Sequence, residues 1–493
     1  MKNVKRNLKL RLLLTSVANF AFCATLALCS TRACCAAARL PSIFADNMIL
    51  QQNAKTIVWG TANPNESVTV EINEAAGSAV ANFDGIWRVE LPAQKAGGPY
   101  DMTVRAENTI VYKNVWFGEV WLCCGQSNAS FPLKRAARGK EESATATYPQ
   151  LRFFTVPQRS AEEPQRDFSA KWEPCSPKTC PDVSALAYYF GQYLHEKLQA
   201  PVGVVVAAWS GSTCEAWVER SSLAKFPELE PLLDPDRLMR ASPGQRAGAL
   251  YNGMIAPLVP FAIKGVVWYQ GESNANRAWQ YRALFPTLIS SWREKWGQGD
   301  FPFYYIQLPN FMAAKSEPSA SAWAELREAQ HKALSARNVG EVVTIDLGDA
   351  NNLHPKNKED FGRRLANLAL AKTYDFDAPY SGPIFKSFKV VDSRAFLSFD
   401  SVDGELKIGE NPGCDSSELR GFAVAGADRV FHWAEASIID DGVVVVSSPE
   451  VAKPIAVRYA WADNPICNLT NASGLPASPF RTDDWPGATV DAR

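Results

Sequence analysis

The chain has 493 residues, 46% of them hydrophobic and 21% charged, the balance of an ordinary globular protein and not of a disordered or fibrous one. Its 51 Lys and Arg against 52 Asp and Glu give a formal net charge of −1, which leaves no basic excess for a nucleic-acid partner. The length fits roughly two to four domains.

Taken in chain order, the first element is a leader. Lys2, Lys5, Arg6, Lys9 and Arg11 form a basic start, Leu12 to Leu28 is mostly apolar, and Ala36-Ala37-Ala38 supplies small residues for cleavage. Residues 1–38 are therefore expected to be a removable signal peptide and the mature protein to be exported, to a periplasm or beyond the cell. No later run is long enough to span a bilayer. Of the 11 Cys, Cys23, Cys29, Cys34 and Cys35 lie in this leader, so seven remain and at least one is unpaired. Cys175 and Cys180 are spaced for a small loop disulfide, and Cys414 with Cys467 for a C-terminal staple.

Residues 39–114 alternate apolar and polar in short runs, at Ser67 to Ile72, Ile86 to Leu91 and Tyr100 to Ala106, separated by turn residues such as Asp84-Gly85. That pattern predicts a small β-sandwich. From Val115 the runs become continuously apolar: Val115 to Cys124, Val202 to Trp209, Ile263 to Tyr269, Phe303 to Leu308 and Val342 to Ile345. Such runs suit strands buried on both faces of a parallel sheet. Between them lie helical stripes, one through Leu186, Tyr189, Phe190, Tyr193, Leu194 and Leu198 with Ser184 as N-cap, another from Tyr281 to Trp292. Further helices are expected after Trp323 and after Lys358. Residues 115–377 thus read as an α/β layer domain, and 378–493, where alternating strands return, as a C-terminal β module.

In a parallel sheet, reactive groups gather on the loops beyond the carboxyl ends of the strands. Here those loops carry Gly125-Gln126-Ser127-Asn128, then Ser210-Gly211-Ser-Thr, then Gln270-Gly-Glu272-Ser-Asn274, and finally Asp346-Leu-Gly-Asp349-Ala-Asn351-Asn-Leu-His354. A serine, a flexible glycine, an amide and a histidine at four strand ends are what acyl transfer needs: a nucleophile, its base and donors for an oxyanion. The chain has only four histidines. His195 and His331 sit on helical patterns that read as solvated faces, and His432 lies in the C-terminal module, which leaves His354 as the base. The scattered His and Cys offer no metal-ligand spacing, so neither metal nor other cofactor is expected. The 15 Trp, including Trp209, Trp217 and Trp268, read as core before they read as sugar platforms.

The blocks Gly125-Gln-Ser-Asn128, Trp268-Tyr-Gln-Gly-Glu-Ser-Asn274 and His354-Pro355 resemble the SGNH (GDSL-like) hydrolases, and within them the sialate O-acetylesterase family. The resemblance extends to Asp46-Asn-Met-Ile-Leu-Gln-Gln52, Leu250-Tyr-Asn-Gly-Met-Ile-Ala-Pro257 and Trp461-Ala-Asp-Asn-Pro465, so it covers nearly the whole mature chain. It implies a three-layer α/β domain with a parallel sheet, flanked by β-sandwich-like modules, that hydrolyses acetyl esters on sugars. It implies Ser127 as nucleophile, His354 as general base, and an oxyanion hole from the N–H groups of Ser127 and Gly211 and the amide of Asn274. Gln126, Asn128 and Glu272 become substrate contacts or loop-holding residues. Many such enzymes carry Asp three residues before the histidine, where this chain has Asn351. Asp349 is expected to orient His354 instead, with Asp346 or a backbone carbonyl as alternatives. The partner is an acetylated carbohydrate, sialic acid by the family name, with acetylated xylan or another plant polysaccharide as the runner-up. A sugar-binding protein with a degenerate site is the reading from another class.

Overall fold

A computed structural model describes residues 37–410, 414, 417–440 and 442–492. The leader, with its expected cleavage and its four cysteines, lies almost wholly outside the described residues.

The N-terminal strands are β1 (Ile49–Gln51), β2 (Thr56–Thr61), β3 (Ser67–Ile72), β4 (Ala75–Val80), β5 (Ile86–Leu91) and β6 (Gly97–Arg105). They are followed by β7 (Thr109–Gly125), a single strand of 17 residues. Its first half pairs antiparallel with β6, and β1 joins it in parallel from Trp116 to Gly118. Its second half is the middle strand of the α/β sheet. The expected boundary at 114/115 therefore falls inside one continuous strand. Along β7 the burial changes from alternating to complete at Phe117, because the sandwich covers one face of a strand and the α/β layers cover both.

The core sheet adds β8 (Tyr148–Thr155), β9 (Trp172–Cys175), β10 (Val202–Ala208), β11 (Gly265–Tyr269), β12 (Phe303–Ile306) and β13 (Val339–Val342), in the order β13-β12-β11-β7-β10-β8-β9. All neighbours are parallel except β9 on β8. Strand β8 departs from the expected pattern: Leu151 to Thr155 is a core strand whose Arg152 interrupted the apolar run. Its guanidinium is nevertheless buried and donates to the carbonyls of Asn47 and Asn114 at 2.7 Å each. The last strand lies earlier than Val342 to Ile345, because Ile345 turns away and packs in the C-terminal core.

Helices α1 (Ala185–Leu198), α2 (Ala278–Trp296), α3 (Ala322–Lys332) and α4 (Lys358–Tyr374) supply the outer layers. The Ser184 hydroxyl accepts from Ala187 N at 3.2 Å, the N-cap its residue type favours. Side chains alternate across the sheet. Trp121, opposite Gly265, meets Phe190 of α1 and bonds Tyr374 of α4, whereas Trp268 faces the other way, onto Phe285 and Trp292 of α2. Trp217 and Trp268 are core, both fully buried. No described helix is long and apolar enough to cross a membrane.

The C-terminal strands are β14 (Ile384–Val391), β15 (Arg394–Asp400), β16 (Leu406–Ile408), β17 (Phe422–Ala425), β18 (Phe431–Trp433), β19 (Glu435–Asp440), β20 (Val443–Ser447), β21 (Ala456–Tyr459), β22 (Leu469–Asn471) and β23 (Phe480–Arg481). They form the sheets β14-β15-β20-β19 and β18-β17-β21-β23, with β16 paired to β22. Their apolar residues make a core of their own, around Leu397, Val424, Val446 and Tyr459. The sulfurs of Cys175 and Cys180, the pair spaced for a small loop disulfide, stand 2.7 Å apart.

Candidate active site

Strand β7 ends at Gly125, whose φ of +142° and close neighbour demand glycine: a Cβ there would stand 2.0 Å from the carbonyl oxygen of Tyr269. Neighbouring strand ends hold the turn that follows. Gln126 N donates to Tyr269 O at 3.1 Å, and Trp209 N donates to Gly125 O at 3.0 Å. Ser127 thus begins a turn clamped between β10 and β11, at the point where the strand order changes direction around β7, which is where open parallel sheets place their ligands.

Across the crevice, His354 Nε2 lies 2.8 Å from Ser127 Oγ. Among the described residues nothing else competes for either atom, so the imidazole is set to take the hydroxyl proton. Burial, then the cations Lys358 and Arg135, push the His354 pKa below its usual 6.5. The free ring is therefore neutral, the form a base requires.

The N–H groups of Ser127 and Gly211 donate to no protein acceptor among the described residues. Gly211 holds φ +71°, with open space where a side chain would stand. Asn274 is 1% exposed, and its amide orientation is imposed from three sides. Its Oδ1 accepts from Cys214 N at 2.9 Å and from Gln270 Nε2 at 2.7 Å, while its Nδ2 donates to Glu215 Oε2 at 3.0 Å. One Nδ2 hydrogen is left over. Glu215 is in turn neutralised by Arg277, 2.6 Å away. Gln270, Glu215 and Arg277 thus fix an amide they could not be seen to touch in the sequence; the nearest signal was their position in the same two loops.

The three residues expected as substrate contacts are mainly loop fasteners. Gln126 is 2% exposed, and its side-chain oxygen faces the N–H groups of Gly271 and Ser273 at 3.4 Å. Asn128, fully buried, donates to Glu272 Oε1 at 2.7 Å and to Leu353 O at 3.0 Å. Glu272 borders the cleft, but burial raises its pKa and its second oxygen is buried without a hydrogen-bond partner among the described residues.

Asp349 does not take the place expected of it. It is exposed, and its Oδ1 accepts from Asn351 N at 2.9 Å, so it closes its own turn instead of reaching the imidazole. Asp346 is held by Arg364 at 2.7 and 2.5 Å, and Asn351 is exposed. What holds His354 is different in kind. Its own N–H donates to Asn352 Oδ1 at 2.9 Å, Phe131 stacks on its ring at 6.3 Å between centroids, and Asn128 grips the preceding carbonyl. Nδ1 has no protein partner among the described residues. Two other histidines also differ from expectation. His331 is paired with Glu341 at 2.9 Å, and the Nδ1 of His195 lies 2.7 Å from Ala200 O.

The site opens into a cleft of about 510 Å³, lined by Ser127, Ser130, Phe131, Arg135, Gly211 and His354 among others. Among the described residues lining it, Arg135 is the one Lys or Arg side chain.

Residues 118–371 match the family described as "Carbohydrate esterase, sialic acid-specific acetylesterase". The sialate O-acetylesterase of Mus musculus is 29% identical over 516 aligned positions, covering 90% of this chain and 94% of that one. The Homo sapiens protein of the same name is 28% identical, covering 91% of this chain and 94% of its own length. The crystal structure of a carbohydrate acetylesterase from Xanthomonas citri superposes with a TM-score of 0.84 at 38% identity, covering 91% of this chain and all of that one. The strand order, the crevice at the end of β7 and these likenesses lead to one conclusion: the chain belongs to the sialic acid-specific acetylesterase family of carbohydrate esterases.

Proposed function

We propose that this protein hydrolyses acetyl esters on carbohydrates through an acyl-enzyme on Ser127. The observation that carries the reading is the 2.8 Å contact between His354 Nε2 and Ser127 Oγ in an open cleft. In the first step Ser127 Oγ attacks the acetyl carbonyl while His354 takes its proton. The oxyanion meets the N–H groups of Ser127 and Gly211 and the spare Nδ2 hydrogen of Asn274. Collapse breaks the bond to the sugar oxygen, which leaves as a hydroxyl by taking the proton from His354. Water then attacks the acetyl carbonyl while His354 takes its proton, and collapse of the second oxyanion frees acetic acid as His354 returns that proton to Ser127 Oγ.

A sugar-binding protein with a degenerate site is the weaker reading, because binding alone does not require a neutral imidazole aimed at a serine hydroxyl. As to the sugar, the exposed Arg135 at the cleft supports an anionic substrate, since a guanidinium pairs with carboxylate. O-acetylated sialic acid carries such a group and the neutral backbone of xylan does not. The basic and then apolar start of the chain supports export.

Acetate release from O-acetylated sialic acid and from acetylated xylan, run side by side, tests this reading. Ser127→Ala is expected to abolish release, and kcat/KM to rise with pH through a midpoint below 6.5. Arg135→Ala is expected to raise KM for the sialic ester about tenfold and leave xylan unchanged. Equal release by the native protein and Ser127→Ala rules the esterase out. An unchanged KM in Arg135→Ala removes the argument for an acidic sugar.

A further inference from the structure

We propose that Lys358 is a positioning residue for the base: its buried ammonium holds Asn128, and Asn128 holds the peptide bond that carries His354. The inference rests on the esterase reading above. Lys358 is fully buried, and its Nζ donates to Asn128 Oδ1 at 2.7 Å. With its oxygen occupied, the Asn128 amide turns its Nδ2 outward to Leu353 O and Glu272 Oε1. One side chain thereby ties together the loop of Ser127, the loop of Asn274 and the loop of His354.

The surroundings of Lys358 argue that packing is not the reason for it. It is the first residue of α4, at the positive end of the helix dipole, where a cation is disfavoured. Around its ammonium are the rings of Phe361, Phe131 and Tyr269, at 5.0, 5.1 and 5.5 Å. A methionine would fill such a cage without losing hydration. Burial depresses the Lys358 pKa to about 7, with Glu272 pulling the other way. The ring faces and Glu272 favour the ammonium against that cost.

The charge has a second effect. Phe131 stacks on the His354 ring, and its own ring is approached by both Lys358 and Arg135. The ionisable groups that face the imidazole are thus Lys358 from α4, Arg135 from the Phe131 segment and, behind Asn128, Glu272. The two cations disfavour the imidazolium in the free enzyme. A base that lacks a carboxylate partner is in this way kept ready by cations and held by an amide.

The test uses the full-length protein with p-nitrophenyl acetate from pH 5 to 9 and the variants Lys358→Met and Lys358→Gln. Lys358→Met is expected to lower kcat about 10- to 100-fold with KM within about twofold. It is also expected to move the acid limb of kcat/KM upward by about half a pH unit, because a cation near the imidazole has gone. Lys358→Gln keeps a donor for Asn128 but no charge, so it is expected to recover much of kcat and to keep the shifted limb. Lys358→Met that melts cooperatively like the native protein, with native kcat and a native acid limb, overturns the proposal. If Lys358→Met does not fold, Lys358→Gln decides: an acid limb at the native pH overturns it. Ser127→Ala, run in parallel, separates this failure from failure of the esterase reading, since only the latter leaves its activity intact.

Discussion

The two β regions read alike in the sequence, yet they are joined to the α/β domain in opposite ways. The N-terminal one has no core of its own. Val68, Val70, Trp87 and Met102 belong to the same apolar cluster as Trp121 and Trp268, and β7 runs unbroken from one region into the other. The C-terminal one keeps a separate core and docks largely through polar contacts. Arg327, 1% exposed, donates to the carbonyls of Leu308, Ala462, Pro309 and Asp463 at 2.7 to 3.0 Å. Ser321 bonds Asp463 at 2.6 Å, and the chain's last turn returns to Glu325 through Ala488 and Thr489. The catalytic pair divides along the same line. Ser127 stands at the end of the fused strand, whereas the loop to His354 begins at Val343 and Ile345, which pack against the C-terminal core.

The largest effect is expected where the N-terminal region is fused. Phe117 is fully buried in β7 between the two regions, and Phe117→Ala is expected to cost about 3–5 kcal/mol. Urea unfolding followed by tryptophan fluorescence and by esterase activity is expected to show both signals lost together, at a lower midpoint. Leu397→Ala, in the C-terminal core, is expected to cost about 2–5 kcal/mol but to shift a separate step. If Phe117→Ala leaves activity at the native midpoint, the fused picture is wrong.

Next in size is the polar joint. Arg327→Met takes the donor from the carbonyls of Leu308 and Ala462, while Pro309 O keeps Trp323 Nε1 and Asp463 O keeps Phe311 N, and is expected to cost about 2–4 kcal/mol. Limited proteolysis between α4 and β14 is expected to speed up well before tryptophan fluorescence of the α/β core changes. Equal proteolysis rates in the variant and the native protein mean that the apolar contacts suffice, and the contrast between the two β regions weakens. The buried guanidinium, its pKa pushed down to about 9 by burial, reads in the sequence only as one more charge on a helix.

What was legible follows a rule of distance. Periodicity is a local property, so β3, β5, α1 with its Ser184 cap and the core strands β7, β10, β11 and β12 are readable from their own residues. Ser127, Gly211, Asn274 and His354 are readable because each ends or follows such a strand. Partners supplied by other segments are not. Arg152 hides β8 because its carbonyl acceptors belong to Asn47 and Asn114. Lys358 gives one local signal, a cation at the start of a helix where carboxylates are favoured, but its purpose lies in Asn128, 230 residues away. The expected break at 114/115 falls within a strand that does not end, and along it the burial passes from alternating to complete at Phe117.

The smallest expected effect bears on the His354 arm and on how far it depends on its neighbours. In a serine triad, replacing the carboxylate that orients the histidine costs about 10⁴ in kcat. Asp349 occupies the stretch where that carboxylate was expected, but it is exposed and its oxygen closes the turn at Asn351. Asp349→Asn keeps an oxygen for that turn, so kcat is expected to stay within about twofold of native. Asn352→Ala removes the side chain that accepts from His354 N and is expected to lower kcat more than Asp349→Asn does. Steady-state rates on p-nitrophenyl acetate for both variants compare the two. A loss of a hundredfold or more in Asp349→Asn would return the carboxylate to the triad and require the loop to rearrange in solution. The expected order instead places the hold on His354 in Asn352, Asn128 and Phe131, side chains that fix the loop and the face of the ring while leaving Nδ1 without a protein partner among the described residues.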